Sequence, residues 1–393
     1  MHQKTFIAGV GMIPFVKPGA SDPFDLMGAQ AARLALADAG ISYEQVQQAF
    51  VGYVYGDSTC GQKALYHLGL CGIPIFNVNN NCSTGSTALF LARQAIAAGA
   101  ECVLALGFEQ MAAGALGGVF KDRPSPFDPF DAVTDALVGM PEVPLALRYF
   151  GGAGQQHMRR YGTGLDSFAK IRAKASRHAA NNPLALFRKV VSEQDVLDSP
   201  ALWPGVMTRL MACPPTCGAA AAVLLSEDFA KRHSLRTDVF VSAQAMTTDR
   251  ASTFESQDMM CLVGYDMTRD AARQVYEQAG IGPQDLDVVE LHDCFAHNEL
   301  ITYEGLGLCP EGGAAQFIAD GDNTYGGQVV TNPSGGLLSK GHPLGATGLA
   351  QCFELTQQLR GNAGAGQVAG ARTALQHNLG LGGACVVTLY QSA

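Results

Sequence analysis

A single cysteine, Cys82, stands in the polar run Asn77–Ser83 (NVNNNCS), directly before an apolar stretch of helical period (TGSTALFLARQAIAAGA). A thiol reacts as the thiolate, and a free thiol titrates near a pKa of about 8.5. The unpaired N–H groups and dipole at a helix start favour the charged form. Cys82 is therefore a candidate nucleophile, although free cysteines are also among the most commonly buried residues. In SKGHPLGATG, His342 lies between a glycine and Pro343, which suits a first helical turn. Its imidazole would project from a fixed turn as a base. In VVELHDCFAHNEL, an apolar strand pattern ends in His292, Asp293 and Cys294. Reactive groups bunched at a strand end often mark a site. Asp293 could equally cap a helix there, and His297 reads as peripheral. In HNLGLGGACVVTLY, Gly380, Gly382 and Gly383 permit close backbone approach, and an exposed N–H there could hold an oxyanion.

Residues so far apart along the chain need a scaffold that gathers them, and the sequence repeats itself. AARLALADAGI from Ala31 matches AARQVYEQAGI from Ala271, each a helix pattern stopped by glycine and followed by an apolar strand. FIAGVGM from Phe6 resembles FVSAQAM from Phe240. CSTGSTAL from Cys82 lines up with HPLGATGL from His342, pairing Gly85 with Gly345, Thr87 with Thr347 and Leu89 with Leu349. Three matches in one order indicate two related α/β halves. Cys82 and His342 hold equivalent places in them. If the halves pack about a pseudo-twofold axis, thiol and imidazole come within reach, as nucleophilic cysteine chemistry requires.

The bulk composition fits that scaffold. The 393 residues are 47% hydrophobic and 16% charged, with 46 glycines, enough for a large core in two or three lobes. A net charge of -9 argues against nucleic acid as the main partner. No apolar run is long enough for a transmembrane helix, and MHQKTFIAGVGM lacks the features of a signal peptide. Eleven irregularly spaced cysteines fit reduced thiols. CPPTC (Cys213 to Cys217) lacks the second pair that a zinc site would need. Between the halves, Gly151 to Val190 carries eight Lys/Arg and one acid, Asp166. This reads either as a solvated helical face or as a site for a phosphorylated ligand.

Taken together, GVGMIPFVKPGA, GYVYGDSTCGQ, NVNNNCSTGSTALF, ELHDCF, NPSGGLLSKGHPLGATGLAQ and LQHNLGLGGA resemble the thiolase family across nearly the whole chain, in its sterol carrier protein X-type branch. The resemblance implies a five-layered α/β/α/β/α fold of two related halves, 1–119 and 238–393, with an inserted loop domain at 120–237. It implies a homodimer, or a homotetramer built from one. In ordinary thiolases a second cysteine lies in a Cys-x-Gly block. Here that block reads GLG, with Gly380 in the cysteine's place, and the sterol-carrier type takes its second cysteine from His-Asp-Cys-Phe, matched by His292 to Phe295.

The implied reaction cleaves a 3-oxoacyl-CoA with CoA through an acyl-Cys82 intermediate, releasing acetyl-CoA, or propionyl-CoA from 2-methyl-branched substrates. His342 is the base, Cys294 moves protons, and His292 and His342 hold the thioester oxygen. The main-chain N–H groups of Cys82 and Gly382 hold the oxygen of the acyl adduct. Coenzyme A is a co-substrate, and neither a tightly bound cofactor nor a metal is expected. The basic patch from Arg159 to Lys189 is the candidate for the CoA phosphates. The appended lipid-carrier domain of longer members is expected to be absent, since the sequence ends at Ala393. The terminal QSA is not a peroxisomal address, so the default location is cytoplasmic, or peroxisomal by analogy with eukaryotic members. The alternatives are a steroid side-chain retro-aldolase or a biosynthetic condensing enzyme of the same fold, and a non-enzymatic lipid- or acyl-CoA-binding protein.

Overall fold

The computed structural model of the chain describes residues 4–112, 120, 122–139 and 142–393. The repeat appears as duplicated topology. The first half contributes β1 (Thr5–Met12), β2 (Gln48–Gly52), β3 (Ile75–Val78) and β4 (Cys102–Glu109). A small separate hairpin, β5 (Ala201–Trp203) and β6 (Met207–Thr208), precedes β7 (Gly218–Ser226). The second half contributes β8 (Val239–Thr247), β9 (Val288–Glu290), β10 (Val330–Thr331), β11 (Thr373–Gly380) and β12 (Ala384–Ser392). Across the sheet the order is β10-β9-β11-β12-β8-β1-β7-β4-β2-β3. Each half thus runs third, second, fourth, fifth, first in its own chain order. Among the described residues they join edge to edge through Thr5–Val241 and Phe6–Phe240.

The two helices that open the repeat end alike. Phe24–Ala39 stops at Gly40 (φ 72°) and Tyr265–Ala279 at Gly280 (φ 69°). A left-handed residue turns the chain out of each helix, and glycine adopts that conformation without a Cβ penalty. A short 3₁₀ turn follows in each case, then a strand parallel to its neighbour, β2 with β4 and β9 with β11.

The apolar core falls into three clusters that define five layers. Helix Phe24–Ala39 covers the outer face of the first half, and helices Tyr265–Ala279 and Ala296–Gly305 cover that of the second. In the middle layer, Leu89, Ala92 and Ile96 of helix Thr84–Ala97 and Leu349 and Leu355 of helix Thr347–Leu359 share one cluster. Val10, Val103 and Ala222 from one half-sheet and Val241, Val288 and Ala374 from the other complete it. These central helices touch at their starts. A Cβ on Gly85 would lie 2.8 Å from the Gly345 oxygen, and one on Gly348 only 2.2 Å from the Ser86 nitrogen. The matched glycines of the repeat let the two helix N-termini meet backbone to backbone.

The central segment departs from the expected boundaries. Its helices Asp128–Val138, Leu145–Tyr161 and Leu165–Ala179 pack with the second half, Phe150 and Phe168 sharing a core cluster with Leu300 and Leu337. Strand β7 instead lies between β1 and β4, antiparallel to both. Gly218–Ser226 therefore completes the first half's sheet, and the inserted part ends before residue 218 rather than at 237. The sequence GAAAAVLLS, apolar up to its terminal serine, already has the character of a strand buried on both faces. The expected boundary at 119/120 adjoins residues 113–119, which lie outside the described residues. Among the described residues, no helix is long and apolar enough to cross a membrane.

Candidate active site

The polar run before the first central helix is a wired turn. Asn81 takes a positive φ of 51°, its N–H donates to Asn79 Oδ1 (3.0 Å), and Asn80 binds the hydroxyls of Thr84 (2.8 Å) and Thr87 (3.1 Å). The asparagines supply local partners that the backbone of such a turn lacks. Cys82 sits here, two residues ahead of the helix. The glycine-rich turn presses against it. A Cβ on Gly380 would lie 2.2 Å from the Asn80 oxygen, and Asn81 Nδ2 donates to the Leu381 oxygen (3.1 Å). Position 380 thus has no room for a cysteine side chain. Gly382 lies in this turn with φ +91°.

His342 is held by the CPPTC segment. Pro215 bridges to His342, Thr216 Oγ1 accepts the His342 N–H (3.1 Å), and Cys213 N–H donates to the Cys294 oxygen (2.9 Å). Its two cysteines diverge: Cys217 joins the core of the first half, while Cys213 adjoins the site. The segment is a clamp between the two histidine-bearing loops, not a metal pair.

These elements bring Cys82, His292 and His342 together. The Cys82 sulfur and one ring nitrogen from each histidine lie within 4.8 Å of one another. The two imidazoles are 5.0 Å apart, with an interplanar angle of 82°. Cys294 is buried beside them, close enough to both Cys82 and Cys213 for the thiolate charges to repel. Asp293 accepts the N–H groups of Leu337 (2.7 Å) and Leu338 (3.3 Å), so it caps the short helix Gly336–Ser339. His297 stacks on Phe168 and binds the Val206 oxygen (2.8 Å), a core role apart from the site.

Hydrogen bonds fix the two imidazoles in opposite tautomers. The Thr347 hydroxyl donates to the Pro343 oxygen (3.0 Å) and lies 2.7 Å from His342 Nδ1. With its one proton committed, it must accept from Nδ1–H. His342 Nε2 is then a bare lone pair, buried and without a hydrogen-bond partner among the described residues. His292 Nδ1 lies 3.1 Å from Asn378 Nδ2, whose other proton binds the Cys82 oxygen (3.1 Å). Nδ1 must accept, so His292 carries its proton on Nε2. By distance alone the Cys–His–His set could hold a metal ion. His292, however, has one nitrogen engaged and the other protonated, leaving no lone pair for a metal.

Burial dominates the electrostatics. It pushes the Cys82 thiol up to about 12; the Glu109 carboxylate adds to this, and the local N–H pulls weakly the other way. This reverses the sequence expectation of a thiolate favoured by the helix start: desolvation outweighs the backbone. Burial holds His342 down at about 3 and His292 well below its ordinary value, so both are neutral. Cys294 is pushed well above the usual thiol range, chiefly by burial, and stays protonated.

The basic patch is less uniform than its sequence. Arg172 is buried on Ser339 (2.7 Å), and Lys174 is buried against Glu299 and Thr331. Arg160 pairs with Asp258 and Lys170 with Asp166. Arg159, Arg177, Arg188 and Lys189 are exposed, and none of them forms a salt bridge among the described residues.

Sequence reasoning missed Asn378, Thr347 and Glu109. Asn378 had a signal: Gln376, His377 and Asn378 are three consecutive polar residues in an otherwise largely apolar strand. Glu109 accepts the N–H groups of Val54 (3.1 Å), Tyr55 (3.0 Å) and Gly345 (3.0 Å), tying the His342 loop to the first half. No local pattern could have revealed this.

With this geometry established, comparison with known proteins is informative. Residues 5–124 match the thiolase N-terminal domain and residues 246–390 the thiolase C-terminal domain-like family. Sterol carrier protein 2 of Oryctolagus cuniculus is 56% identical over 393 residues, covering 99% of this chain and 72% of that protein. A benzoylsuccinyl-CoA thiolase subunit of Thauera aromatica is 35% identical, covering 97% of this chain and 96% of that one. Among solved structures, an Ltp2-ChsH2(DUF35) aldolase aligns with a TM-score of 0.83 at 21% identity, covering 99% of this chain and 98% of that one. That likeness concerns the fold alone.

Proposed function

The chain belongs to the thiolase family and is an acyltransferase acting on acyl-CoA, and from that premise we propose that it cleaves 3-oxoacyl-CoA through an acyl group carried on Cys82. The observation that carries this reading is the Cys82 sulfur within 4.8 Å of a ring nitrogen of buried, neutral His342, whose Nε2 is left bare. As the sulfur attacks the C3 ketone, its proton passes to Nε2 by general-base catalysis. The main-chain N–H groups of Cys82 and Gly382 receive the oxygen of the adduct. Collapse breaks the C2–C3 bond, leaving a thioester on Cys82 and the enolate of acetyl-CoA. His292 Nε2–H and the newly protonated His342 hold the enolate's thioester oxygen. Cys294, a thiol at rest, protonates C2. It then takes the proton of incoming CoA-SH, whose sulfur attacks the acyl-enzyme; Cys82 leaves and takes back the proton held on His342, which restores the resting site.

The exposed cations Arg159, Arg177, Arg188 and Lys189 remain the candidates for the CoA phosphates. We take the working direction as degradative, in fatty-acid or sterol side-chain breakdown. A homodimer is favoured by β3, an edge strand with Phe76 exposed on it. All eleven cysteines are free, which suits a reducing compartment: the cytoplasm, or a peroxisome in a eukaryotic cell. A retro-aldolase of this fold would leave the paired roles of Cys82 and Cys294 without a purpose.

Thiolysis of straight, 2-methyl-branched and steroid-derived 3-oxoacyl-CoAs, assayed with wild type and Cys82→Ala, tests the proposal. Wild type should cleave at least one class and Cys82→Ala none. Cleavage retained by the variant would refute the assignment.

A further inference from the structure

We infer that Asn378 is a positioning residue that locks His292 as an Nε2–H donor, through a buried chain of hydrogen bonds whose direction is forced at every link. This rests on the thiolase reading above, in which His292 must offer a proton to the thioester oxygen.

The chain begins at the Cys82 carbonyl. A carbonyl oxygen only accepts, so the Asn378 atom 3.1 Å from it must be the amide nitrogen. That nitrogen also faces His292 Nδ1 at 3.1 Å, so Nδ1 accepts and the ring proton sits on Nε2. Asn378 Oδ1 then faces Ser86 Oγ at 2.8 Å, and the serine must donate. Ser86 Oγ in turn accepts from Gln376 Nε2 at 2.7 Å. The same Gln376 nitrogen donates to the Gly348 oxygen at 2.7 Å, which fixes its orientation independently. Gln376 Oε1 finally accepts from the Tyr390 hydroxyl. Ser86, Gln376, Asn378 and Tyr390 are fully buried, so water cannot reverse a link.

The chain spans both halves of the molecule: Ser86 on the first central helix, Gln376 and Asn378 on β11, and Tyr390 on β12. A half-satisfied buried network is costly, so the polarity is shared by all its members. The consequence is a division of labour. Thr347 leaves His342 with a lone pair, and Asn378 leaves His292 with a proton. Two neighbouring imidazoles, which could otherwise exchange tautomers freely, are set as one base and one donor.

Asn378→Asp tests this. A carboxylate at 378 accepts from Nδ1–H, moving the ring proton to the wrong nitrogen. The prediction is a fall in kcat of ~10²- to 10³-fold, the size of a lost oxyanion donor. KM should stay within about threefold of wild type, because binding contacts are untouched. The Cys82 adduct, followed by intact mass, should still form from 3-oxoacyl-CoA but more slowly by the same factor, because the cleavage that deposits the acyl group also releases the enolate that His292 holds. Selective ¹⁵N-histidine NMR of the wild-type enzyme, with His292 assigned by substitution, gives a readout independent of activity and of whether the variant folds. His292 should show a protonated Nε2 and a bare Nδ1. A protonated Nδ1 in wild type, or an Asn378→Asp enzyme with wild-type kcat, would overturn the inference. Failure of wild-type Cys82 to acylate would instead count against the thiolase reading and leave the tautomer result to stand separately.

Discussion

Cys82 keeps its proton at rest, because burial and the Glu109 carboxylate raise its thiol to about 12. His342, held at about 3 by burial, is a neutral acceptor. The reactive form is therefore thiol beside neutral imidazole, and neither partner titrates near neutral pH. Single-turnover acylation should lack the acid limb near pH 6.5 that an exposed cysteine–histidine pair would show. Glu109, raised by burial to about 7, is the neighbour that changes charge in this range. Its ionisation disfavours the thiolate, so the rate should drift down as pH rises above about 7 in wild type and stay level in Glu109→Gln. A steep loss of rate on acidification through pH 6.5 would contradict this. In the proposed mechanism Cys294 has the other thiol role. Cys294→Ala should acylate at Cys82 but fail to release free acetyl-CoA, with turnover down by ~10²- to 10⁴-fold, the usual reach of general acid–base groups. Wild-type thiolysis by that variant would remove Cys294 from the mechanism.

At the scale of elements, the site is made by two helix starts that meet through glycine. The space a Cβ would need at Gly348 is filled by the Ser86 backbone, so relief requires moving a helix. Gly348→Ala should destabilise by roughly 1–3 kcal/mol through overpacking, with a matching drop in the denaturation midpoint. It should also lower turnover, since Ser86 belongs to the Asn378 network. A variant with wild-type stability and rate would show that the crossing is loose. These elements were largely legible in the sequence. The repeat exposed both central helices, both glycine-stopped outer helices and the equivalence of Cys82 with His342, because each rests on local periodicity and turn chemistry. The return of β7 to the first half was not legible: an apolar strand says that it is buried, but not between which neighbours. The splitting of the basic patch was also hidden, since Lys174 and Arg172 find buried partners on Glu299 and Ser339, more than a hundred positions away.

At the scale of the whole molecule, two halves of identical strand order enclose a shared helical layer, and the candidate site sits where that layer's N-termini converge. Cys82 comes from one half and His292, Cys294 and His342 from the other, so the reaction exists only in the folded chain. The sequence nominated these four residues as candidates. What it lacked was the long-range hydrogen bonding of Asn378, Thr347 and Glu109, which gives each its protonation state. Mass spectrometry of wild-type enzyme mixed with a 3-oxoacyl-CoA, before CoA is added, tests the central claim most directly. The account predicts a single acyl adduct that peptide mapping places on Cys82 and that CoA removes. An adduct mapped to another residue, or cleavage with no adduct, would contradict it.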